Sequence, residues 1–359
     1  MKTKNRYTVI GLMSGTSLDG LDIVYCSLTK SKSGWRFKIQ NATTQNYSLA
    51  WKQKLSTAHV LSGSELLALD VVYGKFLGEA VTKFIRSKKV KHPDFIASHG
   101  HTIFHQPARG FTYQLGNGPA LHEKTRIPVV FDFRSMDVSR GGQGAPLVPV
   151  GDRYLFGAYD CCVNLGGIAN LSMERNGDRV AFDFCFANMS LNYLMTKMGK
   201  EFDQDGKEAS LGKINDSLLN KFNLINRRWR KKRPSLGREF FEKDIQPLLD
   251  DESLPLRDKL RTCCESIATE FNQALPAKKN LSVFVTGGGA LNSFLMACIK
   301  SKVSGQTNLI VPEKQIIQFK EGLIFALLGV LRVRNEINSL KSVTGARTNS
   351  SAGVMIGFS

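Results

Sequence analysis

A short glycine- and hydroxyl-rich stretch near the start of the chain constrains the fold more than any other feature. The apolar run from Val9 to Met13 predicts a buried strand, and the stretch follows it directly. Alternation of apolar and polar residues resumes from Leu21 to Leu28, so the stretch is predicted to be the tip of a β-hairpin. Backbone N–H groups in such a tip can converge on an anion, and Asp19 and Asp22 could hold a divalent cation beside it. A polar turn without a ligand would have the same composition.

A second glycine-rich turn lies in the other half of the chain. The apolar run from Leu281 to Thr286 predicts another buried strand, and it ends in Gly287-Gly-Gly-Ala-Leu-Asn292, where a helix is predicted to begin. Amides at a helix N-terminus suit a phosphate or an adenosine, although a simple strand-to-helix turn without a ligand would have the same sequence pattern. Two such turns in opposite halves together indicate a nucleotide held in a cleft between two domains.

The length of the chain and the order of its predicted elements indicate an α/β protein of two domains. A chain of 359 residues is long for one compact domain, and its 42% hydrophobic content is that of an ordinary globular protein. Each half begins with strands and then becomes helical. The segment 132–149 is dense in glycine, proline and charge, so it is predicted to be a long functional loop or a domain junction. We therefore expect a first domain over residues 1–140 and a second over residues 141–359.

Hydrophobic periodicity predicts the principal elements of both halves. In the first half we expect a third antiparallel strand over 35–41, a long helix over 64–85 with Ser64 as its N-cap, and a short strand over 94–98. In the second half, strands are expected over 161–165, 168–173 and 180–182, followed by helices. The basic segment 227–233 is expected to lie in a surface linker.

Charge, hydropathy and cysteine usage limit the class of protein. The net charge of +18 could mark nucleic-acid binding, but the basic runs contain almost no aromatic residues, so solvated surfaces and attraction of anionic substrates are favoured. No stretch approaches the ~20 apolar residues that span a bilayer, and no signal segment is recognised, which favours the cytoplasm. The seven cysteines form no Cys-x-x-Cys pair and are expected to be reduced.

Two further features could take part in chemistry. The cluster His99-Gly-His101-Thr-Ile-Phe-His105 could bind a metal, contact a substrate from a loop, or make structural hydrogen bonds. Asp183 follows a predicted strand, where a carboxylate facing a cleft could act as a general base. An N-cap or surface role would also account for Asp183. P-loop, dinucleotide-binding, zinc-protease and serine-hydrolase motifs do not occur in the sequence.

Taken together, the motifs resemble the anhydro-N-acetylmuramic acid kinase family of the actin, heat-shock chaperone and sugar-kinase superfamily. The resemblance covers nearly the whole chain. Its motifs are Gly11-Leu-Met-Ser-Gly-Thr-Ser-Leu-Asp-Gly-Leu-Asp22, Ser98-His-Gly-His-Thr102, Gln114-Leu-Gly116, Val130-Phe-Asp-Phe-Arg134, Gly141-Gly-Gln-Gly-Ala-Pro-Leu-Val-Pro149, Asn164-Leu-Gly-Gly-Ile-Ala-Asn170, Gly287-Gly-Gly-Ala-Leu-Asn292 and Val343-Thr-Gly-Ala346.

The resemblance implies two ribonuclease-H-like domains of the actin-like ATPase fold, which flank a cleft for ATP and a sugar. It implies that ATP and water convert 1,6-anhydro-N-acetylmuramic acid to N-acetylmuramic acid 6-phosphate during peptidoglycan recycling, with Mg²⁺ present and a homodimer as the assembly. Asp183 matches the family's catalytic base, which deprotonates the water. Thr102, Arg134 and Glu321 match positions that face the sugar. The ATP-binding positions are Gly15, Thr16, Ser17, Leu18, Asp19, Gly20, Leu21, Asp22, Gly287, Gly288 and Gly289.

The sequence departs from the family pattern at three places. Phe184-Cys-Phe-Ala187 replaces a usual Thr-Gly-Pro-Gly segment after the base, His101 replaces a usual glutamine, and Gly322 replaces a usual alanine. The first change is expected to alter the turn after Asp183 and could reshape the sugar pocket. It is also the one feature that favours an alternative function, an ATP-switched binding or chaperone-like protein that lacks sugar chemistry.

Overall fold

The computed structural model describes residues 4–358, which form two compact units. The first unit runs through Leu155 and resumes at Phe319, and the second is Phe156–Gln318. Each unit has its own apolar core: one is centred on Ile10, Leu77 and Ile96, and the other on Leu171, Ile267 and Val285. Each unit therefore contains a sheet with helices packed against it.

Two mixed β-sheets organise the described chain, one in each unit. The first is seven-stranded and the second is five-stranded. The strands of the first sheet up to residue 131 are β1 (Arg6–Ser14), β2 (Gly20–Ser31), β3 (Gly34–Asn46), β4 (Phe95–Gln106), β5 (Phe111–Leu115) and β6 (Val129–Phe131). Those of the second sheet are β7 (Cys161–Leu165), β8 (Ile168–Arg175), β9 (Asp178–Phe186), β10 (Ser282–Thr286) and β11 (Asn308–Ile310). The strand β12 (Val354–Ile356) returns to the first sheet.

Helices connect and cover these strands. In the first unit they are α1 (Leu49–Thr57), α2 (Gly63–Lys88), α3 (Gly118–Thr125), α4 (Ser135–Ser139) and α5 (Val148–Leu155). In the second unit they are α6 (Asn188–Thr196), α7 (Lys207–Ser210), α8 (Asp216–Lys232), α9 (Arg238–Phe240), α10 (Gln246–Leu249), α11 (Leu256–Ala274) and α12 (Ser293–Lys302). The long α13 (Lys314–Val333) and the short α14 (Lys341–Thr344) complete the chain. A π-helical turn, Phe241–Ile245, joins α9 to α10.

The two sheets share one strand order and one pattern of directions. The first sheet contains the order β3-β2-β1-β4-β6 and the second has β9-β8-β7-β10-β11. In each, the first three strands along the chain pair antiparallel, and the next two run parallel to the first. This is the ribonuclease-H-like topology, and its repetition confirms the predicted fold class. The predicted hairpin at the start of the chain is also confirmed, because β1 and β2 pair from Arg6–Thr29 to Ser14–Leu21.

The C-terminal segment packs on the first sheet. A Cβ atom on Gly322 of α13 would lie 2.6 Å from Val24 Cγ2, so the glycine that replaces the family's alanine allows the helix to approach β2 closely. Strand β12 pairs antiparallel with β6. Residues from Phe319 onward therefore group with the first unit, and the division falls after Leu155, whereas the sequence analysis proposed a division after residue 140 and a second domain that continued to 359.

Two predicted element boundaries need correction. Helix α2 begins at Gly63, and its N-cap is Ser62 rather than Ser64, because Ser62 and Glu65 satisfy each other's backbone N–H groups in a capping box. The histidine-rich segment is not a loop: β4 continues through it to Gln106, because β5 pairs with that half of the strand.

The basic segment 227–233 is also not a linker. Its residues through Lys232 form the last turns of α8, and Trp229 is only 4% exposed. Leu218, Phe222 and Trp229 bury one face of this helix in the core of the second unit. The run of charges concealed this periodicity in the sequence.

Arg230, in the same turn, forms hydrogen bonds of 2.5 and 2.6 Å to the two carboxylate oxygens of Glu270.

Membrane-spanning helices and disulfides, which the sequence analysis also considered, were checked in the described chain. Between residues 4 and 358, no helix is both long and apolar enough to cross a membrane. The seven cysteines are buried and free of disulfides, as expected.

Candidate functional site

The β1–β2 hairpin ends in an accessible tip. Thr16, Ser17 and Asp19 are exposed, and Leu18 has a φ of 60°, which turns the backbone sharply there. Gly20 is required by packing, since a Cβ atom would lie 2.7 Å from Gln45 O on β3. Leu21, in contrast, is only 1% exposed and belongs to the core, so it can offer a ligand its backbone alone. The tip presents hydroxyls, backbone amides and one free carboxylate to solvent.

Ser14, at the base of this tip, joins a buried chain of hydrogen bonds. Its Oγ lies 2.8 Å from His101 Nδ1 and 2.7 Å from the Tyr47 hydroxyl, which lies 2.6 Å from the Tyr73 hydroxyl. We call these four residues the hairpin network. Burial lowers the pKa of His101 to about 4, so the imidazole is neutral at physiological pH. The network ties the hairpin to β4 and α2.

Asp19 and Asp22 are close enough to influence each other. Asp22 is half-buried and accepts a hydrogen bond of 2.5 Å from Thr44 Oγ1. Burial raises the pKa of Asp22, the Thr44 hydroxyl lowers it, and the negative charge of Asp19 raises it further. Two carboxylates that repel each other beside a glycine-rich tip fit a hard divalent cation, which would relieve that repulsion. Over the described range 4–358, no cluster of three or more His, Cys, Asp or Glu side chains could hold a metal ion on its own.

Arg134 and Glu321 interact electrostatically in the first unit. Arg134 donates to His99 Nε2 at 3.0 Å and to Gly144 O at 3.1 Å. Burial lowers the pKa of Arg134 to about 10, and the charge of Glu321 opposes that shift. The surrounding protein raises the pKa of Glu321 by removing part of its hydration, although its side chain keeps solvent access; Asp22 raises this pKa as well. Asp22, Arg134 and Glu321 thus come within electrostatic reach.

His99 is a site residue whose role the sequence analysis left open. Its Nδ1 lies 2.9 Å from Gly100 O, which requires Nδ1 to carry the proton, and Nε2 is then the acceptor for Arg134. Its ring also packs 4.6 Å from that of Phe325. Of the three roles considered for the histidine cluster, structural hydrogen bonding describes His99 and His101. Thr102 is half-buried on β4, and the amide of Gln114 lies 3.5 Å from its hydroxyl.

Asp183 lies within β9 rather than after it. Asp183 pairs with Asn170 on β8, and Asn170 pairs with Asn164 on β7. Directly opposed residues point to the same face of a sheet, so these three form a polar row. Asp183 Oδ2 accepts a hydrogen bond of 2.9 Å from the backbone N–H of Leu236. Burial raises the pKa of Asp183, and the Leu236 N–H partly opposes that rise.

The glycine turn after β10 lies against the end of β7. A Cβ atom on Gly287, which has a φ of 85°, would lie 2.6 Å from Leu165 O, and one on Gly289 would lie 2.8 Å from Leu165 Cβ. Gly288 is exposed. A 3-10 turn, Gly288–Leu291, precedes α12, whose N-cap is Asn292. Asn292 therefore separates the glycine turn from the first residue of α12.

Two further segments at this place were not chosen from the sequence. The tip of the β7–β8 hairpin accepts hydrogen bonds at Gly166 O from Asn188 N (3.0 Å) and at Gly167 O from Ala187 N (2.9 Å). Asn188 Nδ2 donates to Leu165 O at 3.0 Å. The motif from Asn164 to Asn170 contained the signal, because this tip occupies the same place in the second sheet as the β1–β2 tip does in the first.

The bulky residues that replace the family's Gly-Pro-Gly turn point into the core. Phe184 packs edge-on against Phe271, and Phe186 packs against Trp229 and Phe241. The pairing of β9 with β8 shifts register between Ala169 and Asn170, which leaves Phe184 as an extra, unpaired residue of β9. Both aromatic side chains therefore pack within the core of the second unit.

The repeated ribonuclease-H-like topology, with a glycine-rich hairpin tip in each sheet, defines a member of the actin-like ATPase fold. A family model for anhydro-N-acetylmuramic acid kinase matches residues 7–357. Curated relatives named anhydro-N-acetylmuramic acid kinase include those of Shewanella denitrificans (33% identical; 96% of each chain) and Mannheimia succiniciproducens (32%; 96% of this chain and 98% of the relative). The chain belongs to the anhydro-N-acetylmuramic acid kinase family.

This membership establishes a phosphotransferase that uses ATP, and it supports sugar phosphorylation rather than an ATP-switched chaperone. Among solved structures, the activator of 2-hydroxyisocaproyl-CoA dehydratase from Clostridium difficile with bound ADPNP aligns with a TM-score of 0.44 and 12% identity, over 91% of this chain and 96% of that chain.

Proposed function

We propose that this protein opens 1,6-anhydro-N-acetylmuramic acid with water and phosphorylates it with ATP, giving N-acetylmuramic acid 6-phosphate for peptidoglycan recycling. Asp183 carries the proposal. It is a half-buried carboxylate with an elevated pKa, which makes it a stronger base than an exposed aspartate. The Leu236 N–H fixes Oδ2, which leaves Oδ1 to accept a proton from the attacking water.

The reaction then divides into two transfers. As Asp183 takes a proton, the water oxygen bonds to the anomeric carbon, and the bond from that carbon to the 6-oxygen breaks. The freed 6-oxygen attacks the γ-phosphorus of ATP, and ADP leaves. Phosphoryl transfer depends mainly on positioning and charge stabilisation, so the remaining residues serve to bind and orient.

The nucleotide contacts proposed are the hairpin residues Gly15 to Asp22 in the first unit and Gly287 to Gly289 in the second. The exposed hydroxyls of Thr16 and Ser17 and the backbone amides of both turns are suitable phosphate donors. Asp19 and Asp22 would hold Mg²⁺, which neutralises phosphate charge when bound. For the sugar, we propose Thr102 as a hydroxyl contact and Arg134 and Glu321 as a charged pair that orients the ring substituents.

The cellular setting is also part of the proposal. Reduced cysteines and a nucleotide substrate are consistent with the cytoplasm. We propose a homodimer without nucleic-acid or membrane partners, and sedimentation equilibrium measures that state. Two residues of the basic run in α8 are paired with carboxylates: Arg228 lies 2.6 Å from Asp244, and Arg230 binds Glu270.

Incubation of the protein with ATP, Mg²⁺ and the anhydro sugar tests the activity. We expect a sugar monophosphate and ADP in equal amounts, with one oxygen from ¹⁸O-water at the anomeric carbon. Asp183→Asn should bind ATP normally and lose turnover by a factor of about 10³ or more, since the base is removed. Asp178→Asn, an exposed substitution on the same strand, is the matched control and should retain activity. Turnover by Asp183→Asn near the wild-type rate would place the base elsewhere.

A further inference from the structure

A cavity of about 120 Å³ lies at the carboxyl end of the parallel strands in the first unit. Strand β6 pairs with β4 as far as Ser98, and β5 pairs with the same edge of β4 from His101 onward. The edge of β4 at His99 and Gly100 therefore opens between two partners that diverge. Ligands of open α/β sheets bind at such places, beyond the carboxyl ends of strands whose neighbours separate.

Two buried hydroxyls face this cavity without a protein partner. Ser98 is 1% exposed, and its Oγ has no hydrogen-bond partner among residues 4–358; it lies near Gly116, which also lines the cavity. The Tyr113 hydroxyl is likewise buried and unpartnered in the described chain. Unsatisfied buried hydroxyls lower the stability of a folded protein. Two of them in one cavity therefore indicate that a bound ligand supplies their hydrogen-bond partners.

The charge of the cavity excludes an anionic occupant. Asp70 and Asp132 both line it. Asp70 is already engaged by Gly116 N at 2.8 Å and by Asn117 Nδ2 at 2.9 Å, whereas Asp132 Oδ1 accepts from Ser135 N at 3.1 Å. A carboxylate or phosphate would meet both negative charges at close range. Burial raises the pKa of Tyr113 to about 12, so its hydroxyl remains a donor throughout the neutral range.

The lining offers complementary groups for a neutral amide. The Ser98 and Tyr113 hydroxyls can donate to a carbonyl oxygen, and the Asp132 carboxylate can accept from an N–H. Leu115 and Phe131 provide apolar wall against which a methyl group can pack. An acetamido group has these three parts: an N–H donor, a carbonyl acceptor and a methyl group. A hydroxyl group would use only part of the lining.

We propose that this cavity is the subsite for the acetamido group of the sugar, with Ser98 and Tyr113 as its specificity-determining hydroxyls. The assignment rests on the proposed function and adds the part of the substrate that the cavity recognises. Thr102, Arg134 and Glu321 are absent from its lining, so it is a different set of contacts from those proposed above.

Kinetics with two sugars test the subsite. The substrates are 1,6-anhydro-N-acetylmuramic acid and its analogue with a hydroxyl in place of the acetamido group. Tyr113→Phe and Ser98→Ala should each raise KM for the acetamido sugar about five- to tenfold, the effect of one neutral hydrogen bond, and leave KM for the analogue unchanged. Tyr193→Phe removes a hydroxyl in the second unit, which bonds Asp250, and should change neither KM.

Stability separates recognition from a structural role. Neither hydroxyl has a partner in the described protein, so the melting temperatures of the ligand-free Tyr113→Phe and Ser98→Ala variants should equal or exceed that of the wild type. An equal rise of KM for both sugars, no rise for either, or a clear loss of melting temperature would overturn the subsite. If the wild-type protein phosphorylates neither sugar, the proposed function itself fails; if it phosphorylates the acetamido sugar and the variants do so equally well, only the subsite fails.

Discussion

Asp183 and Leu236 show how one backbone contact can tune the pKa of a carboxylate, here the base that we propose. They are 53 residues apart in sequence, and their contact joins β9 to the segment that follows α8. Burial disfavours the charged carboxylate, while the Leu236 N–H stabilises it. The balance leaves a carboxylate with a raised pKa and one oxygen fixed in place. Orientation and basicity of Asp183 therefore both depend on a residue whose side chain takes no part.

Replacement of Leu236 by proline removes that donor and should raise the pKa of Asp183. A base acts only when deprotonated, so activity falls as the pH drops through its pKa, and the acidic limb of the kcat/KM profile should move to higher pH. Leu236→Ala keeps the N–H and controls for loss of the side chain. Identical acidic limbs for the proline and alanine variants, both folded by circular dichroism, would contradict this role for the amide.

The hairpin network shows how several elements fix the base of the β1–β2 tip. Ser14, Tyr47, Tyr73 and His101 come from β1, the segment after β3, α2 and β4, and all four are buried. The family pattern noted in the sequence analysis has glutamine in place of His101, and both side chains can form a hydrogen bond with a serine hydroxyl. The network holds the base of the tip, whereas the tip itself remains exposed.

We expect His101→Ala to lower the free energy of unfolding by about 1–3 kcal/mol, because it leaves the buried Ser14 hydroxyl short of a partner. KM for ATP should rise more than kcat falls, since the tip that we propose to bind phosphate loses its support. His101→Gln should restore both. Urea unfolding and steady-state kinetics measure these effects, and an alanine variant with wild-type KM would show that the network does not position the loop.

The same residue gives a pH dependence of stability with a defined sign. The pKa of His101 falls from an ordinary value of 6.5 to about 4 on folding, so the unfolded chain binds the proton more readily. The stability that His101 contributes is complete above pH 6.5 and is lost progressively as the pH falls toward 4. His101→Gln should therefore lose less stability than the wild type between pH 6.5 and 4. Parallel curves of unfolding free energy against pH for the two proteins would contradict this assignment.

For the molecule as a whole, we expect the net charge of +18 to raise the rate of encounter with anionic substrates. ATP and the muramic acid carboxylate are both negative, so kcat/KM should fall several-fold between about 0.05 and 0.3 M salt, while kcat stays nearly constant. A neutral osmolyte at matched viscosity serves as the control. A kcat/KM that does not respond to salt would show that the charge has no part in substrate capture.

Local sequence patterns predicted much of the fold. Alternating residues located the first hairpin and the third strand, and β7 occurs at its predicted position. Helix α8 was missed because charged residues dominate its last turns, although Phe222 and Trp229 face the core. The continuation of β4 through the histidines was missed because it depends on pairing with β5.

The candidate site was predicted less completely. The glycine turns and Asp183 were chosen from motifs, but the Gly166–Gly167 tip, His99 and Leu236 were not chosen as site residues. Their importance comes from contacts with residues distant in sequence: His99 binds Arg134 across 35 positions and Leu236 binds Asp183 across 53. The sequence contains both residues of each pair but does not show that they come into contact.

The sequence alone determined the two strand–glycine-turn motifs and the order of strands and helices, because hydrophobic period and glycine placement act over a few neighbouring residues. Tertiary structure decided which residues surround Asp183 and Arg134, where Ser98 and Tyr113 bury their hydroxyls, and why residues after Phe319 return to the first sheet. Those properties depend on packing between segments far apart in the chain, and packing sets both the distances and the loss of hydration that shift each pKa.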